Sequence, residues 1–173
     1  LDARAPATPH GPPSGAAPAT FPLRVPRGFV ARMRHGDPHD PLLRQVLPLE
    51  AESIEHADYG PDPLQERAAT RAPNLLQKYP GRALLITTQA CAIHCRYCFR
   101  REFPYSEQHE ETGSGRWHAA LEAIAADRGI EEVILSGGDP LSLSDARLLD
   151  LTNALQAIPH LRRLRVHTRQ PIV

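Results

Sequence analysis

The chain has 173 residues, and its 20 Lys and Arg residues balance its 20 Asp and Glu residues, so the formal net charge is zero. This balance excludes a polybasic nucleic-acid-binding arm, an acidic tail or a cationic membrane patch as the main functional device. Its apolar runs are shorter than the roughly 18 residues of a membrane-spanning helix, and no secretory signal opens it. We therefore expect a protein of the reducing cytoplasm that binds neither nucleic acid nor membrane. Because the sequence starts at Leu1 and its single methionine is Met33, we expect a fragment of a longer protein.

Proline-rich sequence dominates the first part of the chain. Seven of the 18 prolines lie in residues 1–26. Because proline fixes φ and lacks an N–H group, we predict that this segment is extended and flexible. Residues 27–81 are predicted to form a mainly helical segment. Apolar residues recur there at helical spacing over 29–33, and Asp40 is a candidate N-cap for a short helix that begins at Pro41.

The pattern becomes regular over residues 82–173. Two segments with apolar residues at helical spacing, near 117–125 and 148–158, predict helices between three short strands. The order strand–helix–strand–helix–strand predicts parallel strands joined by right-handed crossovers, that is, an α/β fold. Three strands form only part of a sheet or barrel. The predicted strands cover residues 83–88, 132–136 and 164–168.

The three cysteines of the chain, Cys91, Cys95 and Cys98, form a C-x3-C-x2-C loop directly after the first predicted strand. Residues so close in sequence are poor disulfide partners but good ligands for one metal centre. Three thiolates can bind three corners of an iron–sulfur cubane and leave the fourth iron open, whereas ferredoxin clusters take four cysteines. A structural zinc site that adds His94, and three plain thiols, are the alternatives. Zinc is disfavoured because the adjacent His94 and Cys95 would both have to bind one ion.

A glycine turn follows the second predicted strand, with the sequence Ser-Gly-Gly-Asp-Pro at residues 136–140. A Gly-Gly pair is compatible with a plain, tight strand-to-helix connection. It also lets the backbone approach a ligand closely and expose its polar groups. The third strand ends near His167 and Arg169. Because the carboxyl ends of parallel strands lie together, we expect these residues near the cysteine loop and the glycine turn. His167 is also compatible with a half-buried strand residue, and Arg169 with either a carboxylate contact or an exposed charge.

Taken together, the cysteine loop and the glycine turn, at the ends of adjacent strands, resemble the radical S-adenosylmethionine (SAM) superfamily. Finer matches resemble its lysine 2,3-aminomutase family, and residues 23–29 and 36–46 resemble the branch that makes (R)-β-lysine for elongation factor P. The resemblance runs from about residue 21 to the end of the chain. The finer matches are Lys-Tyr-Pro-Gly-Arg at 78–82, Cys-Phe-Arg-Arg at 98–101, Phe-Pro-Tyr at 103–105, Leu-Ser-Gly-Gly-Asp-Pro-Leu at 135–141 and the segment 158–169.

This resemblance implies a helical N-terminal segment followed by the first three β/α units of a radical SAM partial (β/α) barrel. It implies an isomerase that converts L-lysine to (R)-β-lysine by a 2,3-amino shift. The implied cofactors are a site-differentiated 4Fe–4S cluster, SAM and pyridoxal 5′-phosphate (PLP). The implied partners are L-lysine as the small-molecule substrate and an electron donor such as flavodoxin or ferredoxin, with a pathway link to elongation factor P.

The resemblance also implies roles for individual residues. Arg100 matches the arginine that holds the substrate carboxylate, although it is also compatible with a solvated loop charge. Lys78, Tyr79 and Arg82 match the region that contacts PLP, and Lys78 alone is compatible with a surface charge. The cluster ligands match Cys91, Cys95 and Cys98, and the SAM-contacting turn matches Gly137, Gly138 and Asp139.

One feature departs from the family pattern. The lysine that forms the Schiff base with PLP, and the acids that hold the distal amine of the substrate, lie far downstream in the family. Lys78 is the only lysine of this chain and lies on the wrong side of the first strand. We therefore expect the chain alone to be inactive. The alternatives are another amino-acid 2,3-aminomutase of the same family, a zinc-stabilised non-catalytic module, and a truncated product that does not fold.

Overall fold

The computed structural model describes residues 21–54, 57–105 and 113–173. Most of the predicted flexible segment 1–26 therefore lies outside the described residues. The three α-helices are α1 (Arg27–Val30), α2 (His118–Ala126) and α3 (Asp145–Gln156). The five strands are β1 (Thr70–Ala72), β2 (Leu75–Tyr79), β3 (Arg82–Thr88), β4 (Glu132–Gly137) and β5 (Arg163–Val166).

The five strands form one sheet in the order β1-β2-β3-β4-β5. Strands β3, β4 and β5 are parallel, and α2 and α3 provide the two crossovers between them. The predicted α/β fold with three β/α units is thus confirmed. Ser144 caps α3 as a helix N-cap does, since its side chain accepts a hydrogen bond from the N–H of Arg147.

The main core lies between the sheet and its two crossover helices. Alternate residues of β3 and β4 point to this face, which packs against α2 and α3, as the two-residue period of a strand requires. Ile124 of α2 and Leu151 of α3 are almost completely buried there. Both strands are apolar over most of their length because they are buried on two sides. The candidate site lies on the opposite face of the sheet and at the carboxyl ends of its parallel strands.

The structure differs from the prediction between residues 27 and 81. Its described residues form the four-residue helix α1 and two short 3₁₀ helices, and the segment ends in the antiparallel hairpin β1–β2. The mainly helical prediction is therefore corrected. The turn of the hairpin explains why: Pro73 cannot continue a helix, and Asn74 adopts a φ of 65°, a left-handed conformation that asparagine tolerates.

A second, smaller core joins the N-terminal segment to the cysteine loop. Phe29, Val46 and Ile93 are its buried members, and Cys95 packs against it. The predicted cap at Asp40 contributes to this layer, since its carboxylate accepts hydrogen bonds from the N–H groups of Leu42 and Leu43. The N-terminal segment therefore fixes one side of the loop that carries the three thiols. No helix of the described part of the chain is long and apolar enough to cross a membrane.

Candidate active site

The cysteine loop begins three residues after β3, at the carboxyl end of the parallel strands. All three thiols are partly buried. They line one cavity of about 340 Å³ together with residues 137–139 of the glycine turn and residues 167–169 after β5. This volume lies within the range of small-molecule sites. The structure thus brings together the two motifs that the sequence analysis singled out separately.

Backbone hydrogen bonds attach the cysteine loop to the N-terminal segment. The N–H of His94 donates to the carbonyl of Arg24 at 2.9 Å, and the N–H of Arg96 donates to that of Gln45 at 2.8 Å. The His94 ring stacks on Phe21, and its Nδ1 donates to the Pro22 carbonyl at 2.9 Å. The imidazole is therefore engaged with the N-terminal segment, which argues against His94 as a fourth metal ligand.

A charged cluster supports the outer side of the loop. Glu52 accepts hydrogen bonds from Arg96, with Nε at 2.9 Å from Oε1, and from Arg101, with Nη1 at 2.8 Å from Oε2. Both guanidinium groups also lie over the Phe21 ring. Burial would raise the pKa of Glu52, but the hydrogen bonds from the two arginines outweigh it and hold the pKa below its usual value.

We expect Glu52→Gln to lower the free energy of unfolding by about 2 kcal/mol at neutral pH, because it leaves two part-buried guanidinium groups without their anion. A carboxylate with a lowered folded-state pKa stabilises the fold above its unfolded-state pKa, and this stabilisation is lost as the pH falls through the folded-state pKa. The difference in the free energy of unfolding between wild type and variant should therefore shrink as the pH falls below 4.5, the usual pKa of a glutamate side chain. Urea unfolding of both proteins at several pH values measures it.

Glu122→Gln is the matched control, because the Glu122 side chain is 68% exposed and pairs with the similarly exposed His118 on the surface of α2. We expect it to change stability by less than about 0.5 kcal/mol. A Glu52→Gln effect that is the same at every pH would contradict the role assigned to the carboxylate.

The environment of the thiols decides how they can react. Burial raises the pKa of Cys91 to about 11, and the neighbouring Cys98, Asp139 and Cys95 add to the increase. Burial also raises the pKa of Cys98. The raised pKa values keep the Cys91 and Cys98 thiols protonated near neutral pH, which disfavours either of them as a nucleophile. Bound iron would reverse this balance, because its positive charge would stabilise the thiolate form of each ligand.

The donor set suits an iron–sulfur cluster better than a single ion. Among the residues that the structure describes, no three His, Cys, Asp or Glu side chains form a group that could hold a metal ion. The thiols of Cys91, Cys95 and Cys98 line one cavity, and the His94 ring, which could complete a zinc site, is engaged with the N-terminal segment. In a cubane each thiolate binds a different iron atom, and soft sulfur ligands suit iron.

The glycine turn is in close contact with the segment that leads into the cysteine loop. Gly137 has a φ of +121°, and a Cβ at this position would lie 2.5 Å from the carbonyl oxygen of Thr88. A Cβ on Gly138 would lie 2.3 Å from the carbonyl oxygen of Ala90. Both positions therefore require glycine for packing as well as for any ligand contact.

The Asp139 carboxylate is occupied by the protein itself. It is buried and accepts hydrogen bonds from the Thr168 hydroxyl at 2.6 Å and from the N–H groups of Arg169 and Gln170 at 2.7 and 3.1 Å. It also accepts one from the N–H of Leu141 at 3.0 Å. Asp139 therefore ties the glycine turn to the segment that follows β5. What this turn can offer a ligand is its backbone.

Arg169 is also engaged within the protein. Its guanidinium group lies beside the Cys95 sulfur, with Nη1 at 2.6 Å, and contacts the Tyr97 hydroxyl and the Gln45 side chain. The Phe29 and Tyr97 rings lie within 6 Å of it. Arg169 thus connects the end of β5, the cysteine loop and the N-terminal segment.

A second cavity, of about 310 Å³, lies on the face of the sheet opposite α2 and α3. Lys78, Tyr79, Arg82 and Arg100, which the sequence analysis assigned to the cofactor and the substrate, all line it. The Nζ of Lys78 donates to the carbonyl of Leu64 at 2.7 Å. Phe99, Arg100, Ser136 and His167 line both cavities, so the two adjoin at the carboxyl end of the strands.

Two acidic residues of this region were missed by sequence reasoning. Glu66 is buried and paired with Arg100. Glu132, at the start of β4, is also buried, with Arg165 at 2.7 Å, Arg82 at 3.9 Å and Arg163 at 4.0 Å. Each ion pair joins residues that are distant in sequence, so no local sequence pattern predicts it. At the Glu132 cluster, three cations surround one anion.

The comparisons with known proteins agree with this geometry. The sequence profile of the radical SAM superfamily matches residues 85–172, which is 88 of the 173 residues. The chain therefore belongs to the radical SAM superfamily, and this part of the resemblance is confirmed.

Within the superfamily, the chain is similar to L-lysine 2,3-aminomutases, as the sequence predicted. It is 50% identical over 153 residues to that of Escherichia coli (strain K12), which is 88% of this chain and 44% of the relative. It is 48% identical over 158 residues to that of Haemophilus influenzae, 91% of this chain and 46% of the relative. To the enzyme of Clostridium subterminale it is 35% identical over 145 residues, 84% of this chain and 35% of the relative. The chain thus spans less than half the length of these relatives.

Proposed function

We propose that the full-length protein is a radical SAM, PLP-dependent isomerase that converts L-lysine to (R)-β-lysine by moving an amino group between neighbouring carbons. The observation that carries this proposal is the pair of adjoining cavities. One is lined by three thiols and the glycine turn, and the other by Lys78, Arg82 and Arg100. Membership of the superfamily and similarity to L-lysine 2,3-aminomutases support the same reaction class.

In this proposal the first cavity holds the iron–sulfur cluster and SAM. Cys91, Cys95 and Cys98 would bind three irons, and the glycine turn would present its backbone to SAM. When bound, the cluster with SAM would supply hydrogen-atom abstraction, and PLP would supply an electron sink for amino-group transfer. The protein contributes placement. The cysteine loop is held from one side by the N-terminal segment and from the other by residues 137–139.

The second cavity would hold PLP and the amino acid. Its cationic residues suit two anions: Lys78 and Arg82, with Tyr79 beside them, would face the PLP phosphate, and Arg100 would face the substrate carboxylate. The cationic surplus around Glu132 lies beside Arg82 and adds to the positive potential there. Apolar side chains such as Leu76 and Ile134 complete the wall and would exclude water from a reactive intermediate.

We place the protein in the reducing cytoplasm, because its cysteine loop must stay unoxidised to bind iron. The cluster needs a one-electron donor, for which a flavodoxin or ferredoxin is suitable. The link to elongation factor P rests on the similarity of residues 23–29 and 36–46 to the branch that serves it.

The test uses the full-length protein, purified without oxygen and reconstituted with iron and sulfide. We expect a reduced electron paramagnetic resonance (EPR) signal of a 4Fe–4S cluster that changes when SAM is added. We also expect conversion of L-lysine to β-lysine that depends on SAM, reductant and PLP. Cys95→Ser is the control and should lose the cluster signal and the conversion together.

The outcomes separate the alternatives. A protein with one zinc and no iron after reconstitution would be a non-catalytic module. A SAM-responsive cluster without lysine turnover, but with turnover of another amino acid, would identify a different aminomutase of the same family.

A further inference from the structure

The guanidinium group of Arg100 is held by the carboxylate of Glu66, which lines the same cavity. Arg100 is 5% exposed and Glu66 is 8% exposed. Their contact is a two-point fork, with Nε at 2.7 Å from Oε2 and Nη2 at 2.6 Å from Oε1 of Glu66. Such bidentate geometry fixes the plane of the guanidinium group as well as its position.

Glu66 is itself held in place by its own loop. Its N–H donates to Oδ1 of Asp62 at 2.9 Å, and its carbonyl accepts from the hydroxyl of Thr70 at 3.3 Å. The Glu66 carboxylate is thus presented to Arg100 by a fixed backbone, 34 residues away in sequence.

The fork leaves a defined part of Arg100 available. A guanidinium group has five N–H donors, and Glu66 takes the edge formed by Nε and Nη2. Nη1 donates to the Ser136 hydroxyl at 2.8 Å and lies 3.5 Å from the Gly137 carbonyl, which is the limit of a hydrogen bond. The edge formed by Nη1 and Nη2 is therefore the one with donor capacity left, and Arg100 lines both cavities.

We infer that Glu66 is a positioning residue, which clamps Arg100 so that its Nη1–Nη2 edge receives the carboxylate of the amino-acid substrate. This inference rests on the proposed function. Without the clamp, the guanidinium group can rotate about its flexible side chain and no longer offers two parallel donors to one carboxylate. The consequence is specific, because only ligands that carry the carboxylate depend on that edge.

The cost of burying a charge favours a Glu66 that stays bound to Arg100 over a Glu66 that the substrate carboxylate displaces. If Glu66 moved away, Arg100 would exchange one carboxylate for another, and a buried Glu66 would lose its partner at a large cost. With Glu66 in place, Arg100 keeps its buried partner and can still offer its Nη1–Nη2 edge to the substrate carboxylate.

The experiment compares two ligands on the full-length, anaerobically loaded protein by isothermal titration calorimetry. L-Lysine carries the carboxylate, and L-lysinamide does not. For Glu66→Gln we expect the Kd of L-lysine to rise about tenfold or more, which corresponds to the loss of one charge-assisted hydrogen bond, while that of L-lysinamide changes less than about twofold. If Glu66→Gln does not fold, Glu66→Asp keeps the charge at a shorter reach and should show the same selective loss, to a smaller extent.

Glu52→Gln is the matched control, because it also removes a carboxylate that is paired with arginine but lies on the outer side of the cysteine loop. It should lower stability and leave the ratio of the two Kd values unchanged. Equal loss of both ligands in Glu66→Gln would overturn the inference and reduce Glu66 to a packing role. Tighter or unchanged L-lysine binding would also overturn it. A wild-type protein that does not bind L-lysine would overturn the proposed function and the inference together.

Discussion

Gly138→Ala should unfold at a much lower denaturant concentration than the wild type, with a loss of about 4 kcal/mol or more in the free energy of unfolding. A Cβ at this position would lie 2.3 Å from the carbonyl oxygen of Ala90 and 2.7 Å from the carbonyl carbon of Gln89. Both atoms are backbone, so no side-chain rotation relieves the contact. The N–H of Asp139 donates to the same Ala90 oxygen at 2.8 Å, and this hydrogen bond is lost when the two segments move apart.

The measurement is urea unfolding of the full-length protein, followed by iron content after reconstitution. Since Ala90 directly precedes Cys91, we expect Gly138→Ala to retain less iron even under conditions where it is folded. Gly28→Ala is the control, because Gly28 lies in α1 and a Cβ added there would meet no atom within 4 Å. It should be neutral or stabilising by up to about 1 kcal/mol. A Gly138→Ala protein as stable as the wild type would show that the close approach to Ala90 is not required.

The parallel part of the fold could be predicted because its signals are local. Strands β3 and β4 are buried on both faces, so their sequences are apolar runs that stand out from the helices around them. The hairpin β1–β2 could not be predicted in the same way. β1 has only three residues, and β2 changes from Leu75 and Leu76 to the polar Gln77 and Lys78, so neither shows a clear period.

The candidate site likewise has parts that local sequence predicts and parts that depend on tertiary contacts. Cys91, Cys95 and Cys98 lie within one loop, and the glycine turn is a short motif, so both are visible in the sequence. The pairing of Arg100 with Glu66 is a tertiary contact, and nothing in the sequence around Glu66 distinguishes it from a solvated loop acid. Folding buries Glu66, and a buried carboxylate needs a partner, which Arg100 provides.

Asp139 shows how a motif residue can have a structural role that the motif alone does not reveal. The family resemblance implies that Asp139, with Gly137 and Gly138, belongs to a SAM-contacting turn. The structure shows its carboxylate accepting four hydrogen bonds, three of them from Thr168, Arg169 and the following residue. The side chain therefore holds together the ends of β4 and β5, and with them two walls of the cavity that the thiols line.

We expect Asp139→Ala to lower the free energy of unfolding by about 3–5 kcal/mol, because it leaves the N–H groups of Leu141 and Arg169 and the Thr168 hydroxyl without their acceptor. Asp150→Ala, on the exposed surface of α3, should change stability by less than about 0.5 kcal/mol. Urea unfolding measures both. The position of Arg169 follows from the same bonds, since its N–H is held by Asp139 and its guanidinium group lies beside Cys95. The variant should therefore also change the EPR line shape of the reduced cluster before SAM is added. A normal cluster spectrum together with normal stability would show that the end of β5 is held in place by other contacts.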